Sequence, residues 1–266
     1  HMKALVTSGC SFSEISSYRP ELPNSLKTWP IYIEEKYNPE VSHHAGMGSC
    51  GNDLISRKAI YWCNKLLETY DGKDITCIVE YSGPNRFAVL SDDHMMLRQE
   101  IKRKYTNPRH LHHTEQFKDY EVKDNNQEPV YGWNFINHWT ELQCANHLYI
   151  NKSLLGMVEE TLWNMLNVKN FCAVNNINYF WTTMQNDVDK PHKYGTHQTS
   201  EHWTTSHLYK LVYETDNRIT NQGMYEWVLE RYSHHLGDDG LHPDSQGHER
   251  YASEAIIPFI ENYGKD

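Results

Sequence analysis

The segment 75–81, ITCIVEY, is the feature that most restricts the fold of this chain. It is a short, almost continuous apolar run that stops at Ser82-Gly83-Pro84, so it predicts a buried strand. Similar runs at 3–8 and 178–183, and a weaker one at 41–45, are separated by stretches with helical periodicity. Strands that alternate with helices form a parallel sheet that helices cover on both faces.

Four amphipathic helices are predicted between and after these strands. They cover 29–37, which opens at Trp29-Pro30, Asn52 to about 69, 153–174, and 245–262. Asn52 is read as the cap of the second helix. The apolar residues expected on one face of the third helix are Leu155, Val158, Leu162, Met165 and Val174.

The length of 266 residues suits one large α/β domain. We expect a single domain over 2–266, built as a three-layer α/β/α sandwich around a five-stranded parallel sheet in the flavodoxin-like order 2-1-3-4-5. Residues 87–150 are polar and rich in His and Asn, with little apolar periodicity. This stretch is predicted to be an insertion or lid within the domain and not a second core.

Composition excludes several classes of function. Lys plus Arg is 25 and Asp plus Glu is 35, a net charge of -10, which argues against nucleic-acid and anionic-membrane partners. No segment approaches the roughly 18 apolar residues of a membrane span, and the first residues show no secretory pattern. The six cysteines show no C-x-x-C spacing, so we expect free thiols in a cytoplasmic protein.

Ligand sites in open α/β sheets lie beyond the carboxyl ends of the strands, so the residues that follow the strands are the candidates. Three strands are followed by Gly9-Cys10-Ser11-Phe12, by Gly48 within GMGSCGND, and by Gly83-Pro84-Asn85. The fourth candidate, Asp239-Gly240-Leu241-His242, precedes the last helix.

These residues fit nucleophilic catalysis. A serine hydroxyl needs an adjacent base, and His242 is the candidate base for Ser11. Asp239 would orient the imidazole and stabilise its protonated form. Pro243 keeps His242 out of helical geometry. The backbone N–H groups of Ser11 and Gly48 and the amide of Asn85 are the candidate donors for an oxyanion.

In this order the four segments resemble the sequence blocks of the SGNH hydrolases, also called the GDSL esterase family. Those blocks are G-x-S near the N-terminus, a glycine after the second strand, G-x-N after the third, and D-x-x-H near the C-terminus. The resemblance extends from residue 9 to residue 242. It implies a serine esterase without a cofactor that uses Ser11, Gly48, Asn85, Asp239 and His242 in the roles given above.

Two positions depart from the family pattern. Cys10 and Arg86 stand where the family often has Asp. Arg86 would place a cation beside the oxyanion donors and bind an anionic part of the substrate. The alternative is that Arg86 forms a salt bridge with a nearby Asp or Glu.

Other interpretations of the same residues stay open. Cys10 is an alternative nucleophile, and Asp238 an alternative orienting acid. Ser11 and Asn85 also fit ordinary turns. His234, His235 and His248 compete with His242 for the role of base, but His242 alone has Asp three residues before it and Pro after it.

The 17 histidines raise the question of a metal site. The dense groups are His110-x-His112-His113 and His192, His197 and His202. Neither group includes a carboxylate or thiol at a recognised ligand spacing, so no metal site is expected. Trp133, Trp139 and Trp203 are candidate platforms for sugar rings, or they pack the insertion onto the core.

We therefore expect a serine esterase or deacylase that forms an acyl-enzyme. Its substrate would carry a small acyl group, such as acetyl, on a carbohydrate or another polar small molecule, because residues 87–150 do not resemble an apolar lid. Two alternatives remain: an O-acyltransferase that uses the same triad, and a binding module of the same fold without turnover.

Overall fold

A parallel sheet of four strands lies at the centre of the fold. The computed structural model describes residues 2–15, 18–22, 25–48, 50–84, 86–91, 132–136, 154–186 and 206–264. The strands are β1 (Ala4–Ser8), β2 (Val41–His44), β3 (Ile75–Tyr81), β4 (Phe87–Ser91), β5 (Gly132–Ile136) and β6 (Asn178–Thr183). The parallel sheet has the order β2-β1-β3-β6, in which Ala4 pairs with both Val41 and Ile75.

The predicted parallel α/β architecture is confirmed, but five strands are not found, since the described residues supply four. At the β6 edge, where a fifth strand would pair, Trp181 makes a single bridge, in which its N–H donates to Asn217 O and its carbonyl accepts from Ile219 N–H. The side chain of Asn217 accepts from Thr215 Oγ1 at 2.6 Å and donates to Tyr179 O at 3.3 Å. Such local bonds compete with a strand ladder.

Seven α-helices fall in the described ranges. They are α1 (Trp29–Tyr37), α2 (Asn52–Leu66), α3 (Leu154–Val174), α4 (His207–Tyr213), α5 (Met224–Tyr232), α6 (Ser245–Tyr251) and α7 (Ile257–Asn262). A π-helical segment, Ala252–Ile256, joins α6 to α7. The predicted last helix is therefore interrupted, and Pro258, which has no N–H to donate to the preceding turn, accounts for the change in hydrogen bonding.

The helices pack in two groups. α2 contacts β1 and β3 and packs against α3, which in turn contacts α4. α1 packs against α6 and the π-helical segment, and α5 also packs against α6. α1 lies in the crossover from β1 to β2, and α2 lies in the crossover from β2 to β3. Since these two crossovers run in opposite directions across the sheet, the usual right-handed connection places the two helices on opposite faces. None of the described helices is long and apolar enough to cross a membrane.

The buried face of α3 differs in part from the prediction. Val158, Leu162 and Met165 are buried as expected, whereas Leu155 is 43% exposed and Val174 is 85% exposed. At 100° per residue, Val174 lies roughly 160° around the helix from Val158, so it faces away from the core.

Two short strands lie within the predicted insertion. β4 and β5 form an antiparallel pair in which Phe87 lies opposite Ile136 and Ser91 opposite Gly132. The rest of 87–150 lies outside the described residues. Its assignment as a lid within a single domain therefore stays a prediction.

Candidate active site

The side chains of Ser11, His242 and Asp239 form a hydrogen-bonded chain beyond the carboxyl end of β1. Ser11 begins a short 3-10 turn, Ser11–Ser13. Its Oγ lies 2.9 Å from His242 Nε2, and His242 Nδ1 lies 2.5 Å from Asp239 Oδ2. Because a carboxylate at Nδ1 keeps the ring proton there, Nε2 is left to accept the Ser11 proton, which is the arrangement that activates a serine.

The turn that carries Asp239 and His242 is held by local hydrogen bonds. Asp239 Oδ1 accepts from the backbone N–H groups of Leu241 and His242, both at 2.9 Å. Gly240 has a φ of 64°, a left-handed conformation that glycine adopts without strain. Gly237 N–H donates to His242 O at 2.7 Å. These contacts place the acid and the imidazole before any substrate arrives.

The electrostatics of Asp239 favour its ionised form. Burial alone would raise the pKa of Asp239, but hydrogen bonds from His242 and from the backbone of Leu241 and His242 outweigh it and lower that pKa. The side chains of His242 and Asp239 are 40% and 52% exposed, so solvent reaches the base. The buried ring of Phe12 packs against the imidazole with centroids 4.9 Å apart.

Cys10, the alternative nucleophile, lies in a different environment from Ser11. It is fully buried, and its Sγ donates to Met184 Sδ at 3.3 Å. Burial raises the pKa of the Cys10 thiol to about 12. A buried thiol that stays protonated is a poor nucleophile.

The structure distinguishes Asp239 from Asp238, and His242 from two of the alternative bases, in the described part of the chain. The carboxylate that contacts His242 belongs to Asp239, the second residue of the Asp238-Asp239 pair. His235 Nδ1 lies 3.3 Å from Asp244 Oδ2. His248 is fully buried, its Nδ1 accepts from the Trp29 N–H, and burial lowers its pKa to about 3. Neither His235 nor His248 is placed to serve Ser11.

The backbone N–H of Gly48, one of the predicted oxyanion donors, is bonded to Glu14. Gly48 N lies 2.9 Å from Glu14 Oε2. A Cβ placed on Gly48 would lie 3.0 Å from Glu14 Oε2 and 3.9 Å from Ser11 Cβ, so the Glu14 carboxylate and the Ser11 side chain both adjoin this residue. No sequence signal predicts this contact, because a lone Glu after a serine turn carries no motif.

The loop that carries Gly48 packs directly on the segment Gly9 to Ser13, which contains the Ser11–Ser13 turn. Met47 N–H donates to Gly9 O at 3.0 Å. A Cβ on Gly46 would lie 2.1 Å from the carbonyl oxygen of Ser13, a steric clash that only glycine, which has no Cβ, does not make. Backbone contact therefore fixes Gly48 beside Ser11.

Asn85, the third predicted donor, lies outside the described residues, so its role stays a prediction. The loop that leads to it is held by Asn52, whose amide donates to Ser82 O at 2.7 Å and whose Oδ1 accepts from Ser82 N–H at 2.8 Å. The predicted capping role of Asn52 is wrong: Gly51 occupies the cap position of α2, and Asn52 is the first helical residue. Its side chain joins α2 to the loop after β3.

Arg86 lies close to Cys10, the residue before the Ser11–Ser13 turn. Its Nη1 is 3.6 Å from Met184 Sδ, the atom that also accepts from Cys10 Sγ. Burial raises the pKa of the Cys10 and Cys50 thiols, and the charge of Arg86 opposes that rise at both. The cation is close to the site, and its contact with substrate stays a prediction.

Two buried ionisable residues near the site were not predicted from the sequence. Burial raises the pKa of Glu80, in β3, to about 7, while hydrogen bonds from Ser13 and Trp29 act in the opposite direction. Burial lowers the pKa of Lys58, in α2, to about 8, and nearby Cys50 and Glu14 limit that fall. Neither residue belongs to a recognisable motif, because each sits singly in an otherwise regular element.

Three cysteines from different elements also converge in the core. The Sγ atoms of Cys63 in α2, Cys77 in β3 and Cys172 in α3 all lie within 4.8 Å of one another. All three are buried free thiols. A soft metal ion prefers such ligands, but the wide spacing of the three residues along the chain does not predict the group.

Several other predicted residues lie beyond the described ranges. They are His110, His112, His113, His192, His197, His202, Trp139 and Trp203. Trp133 lies in β5, with its side chain outside the described part. The expected absence of a metal site and the sugar platforms stay predictions.

Comparison with known proteins gives distant structural likenesses. No protein-family model and no curated protein matches the chain. A catalytic mutant of Axe2, an acetylxylan esterase from Geobacillus stearothermophilus, is 14% identical with a TM-score of 0.47, over 97% of this chain and 94% of that one. The psychrotrophic esterase EstA from Pseudoalteromonas sp. is 11% identical with a TM-score of 0.47, over 99% of this chain and 100% of that one. Likeness at this level carries no argument about activity, which depends on the residues of the chain itself.

Proposed function

We propose that the protein is a serine esterase of the SGNH type that cleaves small acyl esters through an acyl-enzyme. The observation that carries the proposal is the continuous chain of hydrogen bonds from Ser11 Oγ through His242 to Asp239, with heavy-atom distances of 2.9 and 2.5 Å. Ser11 and the Asp239–His242 turn are far apart in the sequence, and tertiary structure alone brings them together. Such a chain is the working part of a serine hydrolase.

In the proposed reaction Ser11 Oγ attacks the ester carbonyl while its proton passes to His242 Nε2. Asp239 stabilises the imidazolium, and the backbone N–H groups of Ser11 and Gly48 with the Asn85 amide stabilise the oxyanion. His242 then returns the proton to the departing alcohol, which leaves an acyl-Ser11 ester. A water molecule, deprotonated by His242, attacks this ester, and the bond between the acyl carbon and Ser11 Oγ breaks. His242 returns its proton to Ser11 Oγ as the acid is released.

The exposure of the base favours hydrolysis over transfer to another alcohol. Acyl transfer requires that water be kept from the acyl-enzyme, whereas the side chains of His242 and Asp239 are both substantially open to solvent. The substrate class rests on the polar character of residues 87–150, which favours a small acyl group, such as acetyl, on a carbohydrate or similar polar carrier. Arg86 would contact an anionic part of that carrier.

A panel of esters tests the proposal. Hydrolysis would be followed with acetylated sugars and with nitrophenyl esters of increasing acyl length, for wild type, Ser11→Ala and the matched control Ser253→Ala, which alters an exposed serine of the π-helical segment. We expect wild type and the control to prefer acetyl esters and Ser11→Ala to show no turnover. Turnover by folded Ser11→Ala at the wild-type rate would refute the proposal, and sugar ester products in the presence of sugar acceptors would favour the transferase.

A further inference from the structure

The contact between Glu14 and Gly48 occupies the backbone N–H that the proposed reaction needs for the oxyanion. An oxyanion forming on a substrate bound to Ser11 requires the Gly48 N–H, and that N–H already donates to Glu14 Oε2 at 2.9 Å. The Glu14 carboxylate and the Ser11 side chain both lie next to Gly48, since a Cβ built on Gly48 would be 3.0 Å from Glu14 Oε2 and 3.9 Å from Ser11 Cβ. A backbone N–H has one proton, so two anions compete for it.

The surroundings of Gly48 favour an anion. Lys58 is fully buried in α2, and Cys50 and Glu14 are the two groups that favour its protonated form. A buried ammonium group is stable only near a compensating charge. Burial raises the pKa of the Cys50 thiol to about 12, so of these two groups Glu14 is the one that can supply that charge.

We propose that Glu14 is a built-in competitor for the oxyanion position, and that its side chain must leave Gly48 before Ser11 can be acylated. The inference rests on the proposed esterase function and adds a residue that controls its rate. Glu14 follows the nucleophile turn directly and can leave by rotation of its side chain, while the backbone of Gly46 and Met47 keeps Gly48 in place.

Removal of the carboxylate should accelerate the reaction. Loss of one oxyanion donor costs roughly 10²–10³-fold in rate in serine hydrolases, so the release of an occupied donor is expected to gain at least about tenfold. Glu14→Gln keeps an oxygen that accepts from Gly48 N–H but removes the charge, so its gain should be smaller than that of Glu14→Ala. If Glu14 served only to brace the loop, Glu14→Gln would react at the wild-type rate and Glu14→Ala more slowly.

The experiment measures the rate at which a fluorophosphonate modifies wild type, Glu14→Gln, Glu14→Ala and a control, Glu68→Ala, whose exposed carboxylate lies in the turn after α2. In this reaction Ser11 Oγ forms a bond to phosphorus, fluoride leaves, and the serine proton goes to His242. Each rate is measured again with added acetate. Acetate should slow the modification of Glu14→Ala, because it fills the vacated position, and should leave wild type and Glu68→Ala unchanged. Thermal unfolding of each variant shows whether it is folded.

The outcomes separate this inference from the proposed function. Faster modification of Glu14→Ala and Glu14→Gln than of wild type, with inhibition of the Ala variant by acetate, supports the inference. Modification of these two variants when wild type is not modified at all also supports it. If wild type is modified and folded Glu14→Gln is no faster, the competitor role of Glu14 is wrong while the esterase proposal stands. If no form is modified, both fail together.

Discussion

The hydroxyl of Ser13, which follows Ser11 by two residues in the chain, donates a hydrogen bond to the buried carboxyl group of Glu80. The indole N–H of Trp29 donates to Ser13 Oγ at 3.1 Å and lies 3.4 Å from Glu80 Oε2. Within the described residues Glu80 Oε1 has no hydrogen-bond partner. The turn that carries the proposed nucleophile is thus hydrogen-bonded to a buried carboxyl group whose protonated form is favoured over its ionised form.

Glu80→Gln is therefore expected to stabilise the protein at alkaline pH. Burial raises the pKa of Glu80 from 4.5 to about 7, so below about pH 4.5 the group is protonated in both folded and unfolded states and contributes nothing. Between about pH 4.5 and pH 7 the unfolded state loses this proton while the folded state keeps it, so the unfolding free energy falls by about 3 kcal/mol over this range. Above about pH 7 the folded state buries the charge, and the neutral Gln avoids this loss.

Urea unfolding of wild type and Glu80→Gln near pH 5 and near pH 8 measures this effect. The two proteins should differ little near pH 5, and the variant should be the more stable near pH 8. The amide of the substituted glutamine keeps an oxygen that accepts from Ser13 and Trp29, so the activity of the variant should stay within a few fold of wild type. A stability difference of the same size at both pH values would show that Glu80 is ionised throughout.

Asp239→Asn is expected to lower kcat by on the order of 10³–10⁴-fold with little change in stability. Asn keeps the oxygen that accepts from the N–H groups of Leu241 and His242, so the turn survives. It loses the carboxylate that holds the proton on His242 Nδ1, which leaves Nε2 without a lone pair for Ser11. Steady-state kinetics on an acetyl ester would test this.

Asp238→Asn is the matched control for Asp239→Asn. It removes the same charge one residue away and should keep activity within a few fold of wild type. If the two variants lost activity equally, the assignment of Asp239 as the orienting acid would not stand.

Phe12→Leu should reduce kcat about tenfold while KM changes little, because the smaller side chain loses the ring contact that holds His242 at 4.9 Å between centroids. The change shortens a buried side chain without removing it, so it costs less than the roughly 3–5 kcal/mol of a Phe→Ala change, and the variant should fold. A rise in KM with unchanged kcat would place Phe12 in substrate binding instead. Kinetics and thermal unfolding on the same preparation distinguish the two cases.

Much of the central sheet could be predicted because β1, β3 and β6 are largely apolar runs, whereas β2, with the sequence VSHH, gives a weaker signal. The predicted strands 75–81 and 178–183 have the observed bounds, and those of β1 and β2 differ from the structure by at most one residue at each end. Among the described residues the sheet has four strands, and the segment around Asn217, at the β6 edge, makes local turn contacts that the apolar pattern does not reveal.

The candidate site was predictable where a residue type at a fixed spacing is required by the chemistry, as with Asp239 and His242. It was not predictable where tertiary contact alone brings residues together. Glu14 and Gly48 are distant in the sequence, and the role of Asn52 depends on the loop after β3. Lys58 lies in an amphipathic helix, where a lysine ordinarily faces solvent, so its burial could be learned only from the fold.

The most direct test of the central claim is the intact mass of the protein after incubation with a fluorophosphonate, for wild type, Ser11→Ala, His242→Ala and Glu14→Ala. The reagent requires no knowledge of the natural ester. An activated Ser11 predicts a single adduct on wild type, located on the peptide that contains Ser11, and none on Ser11→Ala or His242→Ala. An adduct of equal yield on folded Ser11→Ala, or none on wild type and on Glu14→Ala alike, would contradict the assignment of Ser11 as the nucleophile.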